Sequence, residues 1–162
     1  MTNAALARIP PASTPSLPEQ GLRLLTERPA IRIADDSYRG RHVERPSYPP
    51  LTLPERLVME ETERALNAGL TPGRRAVTIA LLARLAAHRK SDRTPQEWQM
   101  LFEDFAEDLA EFSDAHVQEA IVQHRRTCKF FPTPAELRAL CLEQVARDRY
   151  RLRRCRNLLE AV

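Results

Sequence analysis

The stretch that most constrains the fold of this chain is Lys129 to Cys141, KFFPTPAELRALC. The residue before a proline is pushed out of helical geometry, so Pro132 ends any preceding helix. Thr133 then stands at a helix N-cap, Pro134 suits the first helical position, and Glu136 completes a capping box with Thr133. The sequence therefore predicts a rigid apolar corner that opens a helix, with one of its two phenylalanines buried against whatever precedes it.

Helical periodicity continues along the chain from about residue 53. The run Ala76 to Ala87, AVTIALLARLAA, is apolar almost all round, which is typical of a central buried helix. The last helix should run to about Leu159, roughly 40 Å, because no glycine or proline interrupts it. We expect five helices, which begin near Leu53, Thr71-Pro72, Thr94-Pro95, Ser113 and Pro134.

These patterns predict an all-α fold, a small helical bundle of about five helices with a long C-terminal helix and a disordered N-terminal arm. Residues 1–50 hold eight of the 13 prolines and should be a Pro-rich flexible arm without regular structure. Residues 51–146 should form the bundle, and residues 147–162 a basic C-terminal extension of the last helix. One short apolar patch in the arm is either a turn of a partner-binding helix or a patch without a partner: Leu22, Leu24 and Leu25.

A core anchor is expected where the helix after Thr94 meets the aromatic–proline corner. The apolar residues of that helix form a stripe along one face, and its acidic residues lie on the other faces. The structural corner is predicted to consist of Trp98, Phe130, Phe131, Pro132, Thr133, Glu136 and Leu137.

Composition argues against a membrane or secreted protein. No apolar run reaches 18 residues, so no membrane span is expected. The N-terminus lacks the basic and apolar regions of a secretory signal. The three cysteines, Cys128, Cys141 and Cys155, are odd in number and widely spaced, which fits reduced thiols better than a disulfide framework. We therefore expect a cytoplasmic protein without membrane contact.

An acidic ladder comes nearest to a catalytic pattern. Pairs of carboxylates four apart share a helix face, as paired metal ligands must. Helical di-metal sites also recruit Glu-x-x-His motifs from facing helices, and this chain has none. A solvated acidic face is therefore the preferred interpretation of the pairs Glu103 with Glu107 and Asp104 with Asp108.

His124 and Cys128 are also four apart, and Cys141 lies just past the corner. A zinc site needs about four ligands, and a fourth is missing. A Cys–His nucleophile would need an orienting group that the sequence does not indicate, so a core histidine and buried thiols are preferred. Four scattered glycines make no phosphate-binding loop. We expect no catalytic site, no metal and no cofactor.

The basic C-terminal segment, DRYRLRRCRN, is the strongest candidate for nucleic-acid or partner binding. Its arginines spread round more than one helix face, which suits phosphate attraction better than base reading. The alternative is a merely soluble terminal helix whose arginines complement its C-terminal dipole. The six candidates are Arg147, Arg149, Arg151, Arg153, Arg154 and Arg156.

The same helix carries a partial heptad seam, which favours docking of a partner or of a second copy through the C-terminal helix. Asp148 interrupts this seam. Its apolar members are Val145, Leu152, Cys155 and Leu159.

Residues 95–141 resemble a segment of phage and prophage replication proteins, the small helical loader-and-inhibitor proteins of phage replicative helicases. The shared features are a tryptophan with a leucine three residues on and an aspartate in the same helix, then an alanine-containing helix, then the Phe-Pro-Thr corner. The match covers under a third of the chain and rests on Trp98, Leu101, Asp104, Ala120, Phe131, Pro132, Thr133, Glu136 and Leu137.

The resemblance implies an adaptor that binds a hexameric helicase or an initiator and has no catalytic site. In that family the helical domain comes first and a flexible C-terminal part engages the helicase, whereas here the predicted flexible part comes first. The resemblance therefore assigns no helicase-contact residues. Two hypotheses follow: a non-catalytic adaptor in phage or prophage DNA replication, or a nucleic-acid-binding protein that uses the Arg-rich C-terminal helix.

Overall fold

The computed structural model describes residues 17–27, 31–35, 43–87 and 92–161, with backbone alone for 31–35 and 43–47. The fold class is all-α, as the helical periodicity predicted. Among the described helices, none combines the length and the apolar composition that crossing a bilayer requires. The elements are α1 Glu19–Glu27, β1 Ile31–Asp35, β2 Val43–Ser47, α2 Leu53–Gly69, α3 Arg75–Ala86, α4 Pro95–Asp108, α5 Asp114–Thr127 and α6 Pro134–Glu160.

The described chain divides into two compact units. We call the described residues within Gly69–Arg147 the central unit, and those within Ser16–Ala68 and Asp148–Val162 the terminal unit. Residues of α6 up to Arg147 belong to the central unit, and later ones belong to the terminal unit. The terminal unit thus combines parts of the predicted arm, the predicted bundle and the predicted extension.

The central unit has a core of leucine and phenylalanine side chains. Phe105 is completely buried in it. The apolar run of α3 is buried as expected: every residue from 77 to 86 is buried or half-buried except Arg84. The apolar stripe predicted on α4 faces the same core. The buried cluster consists of Leu82, Leu85, Phe102, Phe105, Leu109, Phe112, Val117, Ala120, Ile121, Leu137, Cys141 and Val145.

The start of α3 differs from the prediction. α3 begins at Arg75 rather than at the Thr71-Pro72 step, so that expectation is wrong. The backbone N–H of Gly73 donates to the carbonyl oxygen of Phe112 at 2.8 Å, which holds the chain outside helical geometry. A Cβ on Gly73 would lie 2.6 Å from the backbone nitrogen of Asp114. This close approach requires glycine, and no local proline signal could have indicated it.

The terminal unit has a smaller apolar core. Met59 on α2 and Cys155 on α6 are completely buried, and the Cys155 thiol donates to the carbonyl oxygen of Met59 at 3.2 Å. α1 approaches α2 closely at Gly21, where an added Cβ would lie 1.9 Å from Thr62 Oγ1. Glycine therefore sets the distance between α1 and α2. The buried apolar residues of this unit, among those described, are Leu25, Met59, Leu66, Leu152, Cys155 and Leu158.

The expectation that residues 1–50 lack regular structure is wrong for Glu19–Glu27, which forms α1. Leu25 of the predicted apolar patch is buried, and Leu22 and Leu24 are half-buried. The prediction missed this helix because it counted eight prolines over 50 residues, and such a count obscures a shorter stretch that contains none. The burial of Leu25 and the partial burial of Leu22 and Leu24 stabilise the helix despite the disorder that the composition predicts.

β1 and β2 also fall in the predicted arm and contradict the same expectation. They pair antiparallel, with Ile31 opposite Ser47 and Asp35 opposite Val43. Pro46 lies within β2 and argued against a strand there, since a proline cannot donate to a strand ladder and is tolerated mainly in edge strands. The remaining predicted arm before Tyr48, residues 1–16, 28–30 and 36–42, lies outside the described residues.

Candidate functional site

The aromatic–proline corner has the predicted capping box. The backbone N–H and the hydroxyl of Thr133 donate to Glu136 Oε2 at 2.7 and 3.0 Å, and the backbone N–H of Glu136 donates to Thr133 Oγ1 at 3.3 Å. The two hydrogen bonds that Thr133 donates, first the one from its backbone N–H, hold the pKa of Glu136 below its ordinary value. Pro132 and Leu137 are buried. The start of α6 at Pro134 is therefore confirmed.

Phe131 is the phenylalanine of the corner that packs inward. Its ring lies 4.9 Å from that of Trp98 and 5.9 Å from that of Phe105, edge-on in both cases. Trp98 is half-buried and stacks on Phe102 at 5.4 Å. Phe130, by contrast, is 79% exposed. The corner thus packs against the aromatic side chains of α4 through Phe131, whereas Phe130 does not pack inward.

The acidic residues of α4 lie on its solvent side. Asp104, Glu107 and Asp108 are exposed, while Glu103 is half-buried and accepts a hydrogen bond from Gln99 at 3.3 Å. The described residues contain no group of three His, Cys, Asp or Glu side chains that could hold a metal ion. Their placement fits the interpretation as a solvated acidic face.

The histidine and the thiols occupy core positions. His124 is buried, with a carboxylate oxygen of Glu136 3.9 Å from its Nε2. Burial raises the pKa of the Cys141 thiol and of the Cys155 thiol to about 12 in each case. Both thiols are therefore protonated at neutral pH and are poor nucleophiles. Cys128 is half-buried.

Three of the six candidate arginines engage groups of the terminal unit. Arg151 Nη1 lies 3.1 Å from Asp148 Oδ1. Arg156 Nε donates to Glu63 Oε1 at 2.8 Å, and its Nη2 donates to Asn67 Oδ1 at 3.1 Å. The guanidinium of Arg154 lies over the Tyr48 ring, 5.8 Å from its centroid. For these three, a structural role explains the positive charge.

The other three arginines are exposed on α6. Arg147 is the last residue of the central unit, whereas Arg149 and Arg153 belong to the terminal unit. Arg149 and Arg153 make no ion pair or hydrogen bond through their side chains with any described residue. Tyr150 is 60% exposed next to Arg149 in the sequence. Of the six predicted arginines, only Arg149 and Arg153 are therefore exposed without a charged or hydrogen-bonded partner among the described residues.

The heptad seam of α6 is buried within the chain itself. Val145 belongs to the core of the central unit. Leu152 and Cys155 are buried in the terminal unit, and Leu159 is half-buried. An apolar face that is covered by its own chain cannot also cover a partner, so this seam does not favour homo-oligomerisation through the C-terminal helix.

Sequence reasoning missed an apolar groove between α1 and α2 in the terminal unit. We call it the α1–α2 groove; its volume is about 300 Å³. Two leucines of α2, Leu53 and Leu57, are strongly exposed, at 80% and 67%. These two leucines are not part of its lining, and no spacing rule in the sequence links the α1 and α2 residues that are. The groove is lined by Gln20, Arg23, Leu24, Glu27, Pro54, Glu55 and Val58.

Comparison of this chain with protein-family models, with curated proteins and with solved structures gave no match.

Proposed function

We propose that this protein is a non-catalytic adaptor in phage or prophage DNA replication, and that it binds a replicative helicase or an initiator protein through its terminal unit. The resemblance of residues 95–141 to helicase loader-and-inhibitor proteins supports the biological setting. The α1–α2 groove supports the mode of action, because it is an exposed surface that an apolar partner segment would cover.

The observation that carries the proposal is the exposed leucine pair of α2. Leu53 and Leu57 are four residues apart and therefore lie on one helix face. Pro54 and Val58 follow them directly in the sequence and line the groove, whereas Leu53 and Leu57 are not part of its lining. Exposed large apolar side chains grouped on one helix face commonly mark an interaction site.

The groove suits an amphipathic helix of the partner. Leu24, Pro54 and Val58 supply apolar contacts, and the other four lining residues are polar or charged. Arg23 and Glu27 are already paired with each other at 2.8 Å, so they need no charged group from outside. Recognition would then rest on apolar anchors one helical turn apart, as in other helix-in-groove complexes.

The test is a double substitution, Leu53→Ser with Leu57→Ser, in the full chain. Binding to the purified hexameric replicative helicase and to the phage initiator would be measured by titration calorimetry. We expect at least about a tenfold loss of affinity, since burying one leucine contributes about 1.5–3 kcal/mol and tenfold corresponds to about 1.4 kcal/mol. The thermal unfolding temperature should not fall, because both side chains are exposed.

The matched control is Met100→Ser, which removes a side chain that is 68% exposed on α4 of the central unit. Its affinity should equal that of the unchanged protein. Equal losses in the control and in the double variant would contradict a specific role of Leu53 and Leu57 in binding. If the unchanged protein bound neither the helicase nor the initiator, the proposed function itself would be contradicted.

A further inference from the structure

The outward face of α6 in the terminal unit carries two arginines that have no ion-pair or hydrogen-bond partner among the described residues. Arg149 and Arg153 are exposed and unpaired among the described residues, in contrast to Arg151 and Arg156 on the same helix. Leu152 and Cys155 mark the buried face of this helix. The unpaired arginines therefore point away from the core of their unit.

The spacing of residues along α6 explains why neither arginine has a partner on its own helix. Side chains three or four positions apart are neighbours on a helix. Arg151 has Asp148 three positions before it, and the two form an ion pair. The corresponding neighbours of Arg149 and Arg153 include no acid: they are Val145, Ala146, Leu152 and Arg153 for Arg149, and Arg149, Tyr150, Arg156 and Asn157 for Arg153.

Two cations four residues apart repel each other and slightly destabilise their helix. The helix dipole does not compensate, because its effect is confined to the last turn and α6 ends at Glu160, seven residues after Arg153. Arg125 and Arg126 differ in this respect, since they lie in the last turn of α5 and have a structural explanation. The predicted dipole role therefore does not account for Arg149 and Arg153.

We infer that Arg149, Tyr150 and Arg153 form a contact site for single-stranded nucleic acid on the outward face of α6. Tyr150 precedes Arg153 by three positions, so its exposed ring lies on the same side of the helix as that guanidinium. Arginines that contact the phosphates, together with an aromatic ring on which a base stacks, are the two elements of sequence-independent single-strand binding. This inference does not rest on the adaptor function.

Single-stranded nucleic acid fits this site better than a duplex. About 6 Å of helix axis separates Arg149 from Arg153, so both can reach neighbouring phosphates of one strand. The ring of Tyr150 can stack only on a base that is unpaired and turned outward. A duplex would offer phosphates to the arginines but no base face to the tyrosine.

The test measures the affinity of the full chain for a fluorescent oligothymidylate of about 12 nucleotides, a length within the usual site sizes. Fluorescence anisotropy would be recorded over a series of salt concentrations. In the double variant Arg149→Gln with Arg153→Gln, we expect a loss of about tenfold or more at low salt. The slope of log affinity against log salt should fall by about 1.4, since each phosphate contact on a single strand contributes about 0.7.

Two comparisons make the result specific. Arg125→Gln with Arg126→Gln changes the net charge equally in the central unit and should weaken binding much less. Tyr150→Phe should retain affinity because it keeps the ring, whereas Tyr150→Ala should lose several-fold. The double α6 variant removes a like-charge pair, so it should fold normally, which circular dichroism would check.

Each contrary outcome overturns part of the inference. Equal losses in the two double variants would show attraction by net charge alone. A duplex of the same length that binds as tightly as the single strand, or a Tyr150→Ala variant that binds normally, would exclude base stacking. No measurable binding at low salt would exclude nucleic acid and leave an acidic protein as the ligand of this face.

Discussion

The central unit buries the rings of Phe102, Phe105 and Phe112, whereas the described side chains of the terminal unit bury leucine, methionine and cysteine without a buried aromatic ring. Aromatic side chains bury the largest areas and dominate core energetics. We therefore expect the central unit to be the more stable of the two. The α1–α2 groove and the outward arginines of α6 both belong to the terminal unit.

This difference suggests that the central unit stabilises the fold and that the terminal unit carries the candidate binding surfaces. Regions with few buried apolar contacts open more easily than well-packed cores, and binding segments are often drawn from them. The central unit contains capped helices and stacked aromatic rings. The terminal unit contains the exposed pair Leu53 and Leu57 and the arginines of α6 that are unpaired among the described residues.

The largest effect is expected for Phe105→Ala in the central unit. Phe105 is completely buried, so truncation should cost about 3–5 kcal/mol, enough to unfold a marginal domain. Trp98 is the only tryptophan and stacks on Phe102, so its fluorescence reports unfolding of this unit in denaturant. Phe130→Ala is the control, and because Phe130 is exposed it should change stability by less than about 0.5 kcal/mol. Similar losses in both variants would contradict the described core.

A smaller effect is expected for Gly21→Ala in the terminal unit. Alanine normally favours a helix over glycine by about 1 kcal/mol. Here the new Cβ would meet Thr62 at 1.9 Å, and overpacking of this kind costs about 1–3 kcal/mol, so the variant should be destabilised. Gly69→Ala is the matched control, because a Cβ there meets no atom within 4 Å, and it should be neutral or slightly stabilising.

The readout of Gly21→Ala also tests how independent the two units are. If they unfold separately, Cys155 should become reactive toward a thiol reagent at lower denaturant than before, while the Trp98 transition stays unchanged. If both transitions shift together, the chain unfolds as one cooperative body. The two units would then differ in how their cores are packed but not in their stability toward unfolding.

Much of the central unit was predictable because its signals are local. The caps at Thr94, Ser113 and Thr133 lie within three residues of the groups that they bind, so a short stretch of sequence contains the whole interaction. The apolar run of α3 is similarly self-contained. The long α6 followed from the absence of glycine and proline between Pro134 and Glu160.

The terminal unit was harder to predict because its determinants are distant in sequence. The glycine requirement at Gly21 depends on Thr62, which lies on another helix. Arg156 and Glu63 are 93 residues apart, and no spacing rule connects them. Local spacing separates Arg151, which pairs with Asp148, but the partners of Arg154 and Arg156 are distant in sequence and emerge only from the structure.

The two buried thiols give a direct comparison of the units. Cys141 lies in the central unit and Cys155 in the terminal unit, and burial raises both pKa values to about 12. Neither should react in the native state until its surroundings open. We expect Cys155 to be alkylated about tenfold faster than Cys141, corresponding to about 1.4 kcal/mol less local stability. Mass spectrometry of timed iodoacetamide reactions would measure both, and a faster reaction of Cys141 would reverse the proposed order of stability.

The smallest effect concerns acid stability and should be confined to the central unit. Hydrogen bonds from Thr94 and Thr133 lower the pKa values of Glu97 and Glu136 from the ordinary value of 4.5. A lowered pKa in the folded state means that the stabilisation is complete above about pH 4.5 and is lost as the pH falls through the folded-state value. Glu97→Gln with Glu136→Gln should therefore flatten the acid limb of the Trp98 unfolding curve, while the alkylation of Cys155 keeps its pH dependence. Because both carboxylates are at the surface, the change should be modest, and an unchanged acid limb would show that the two capping boxes act without their charge.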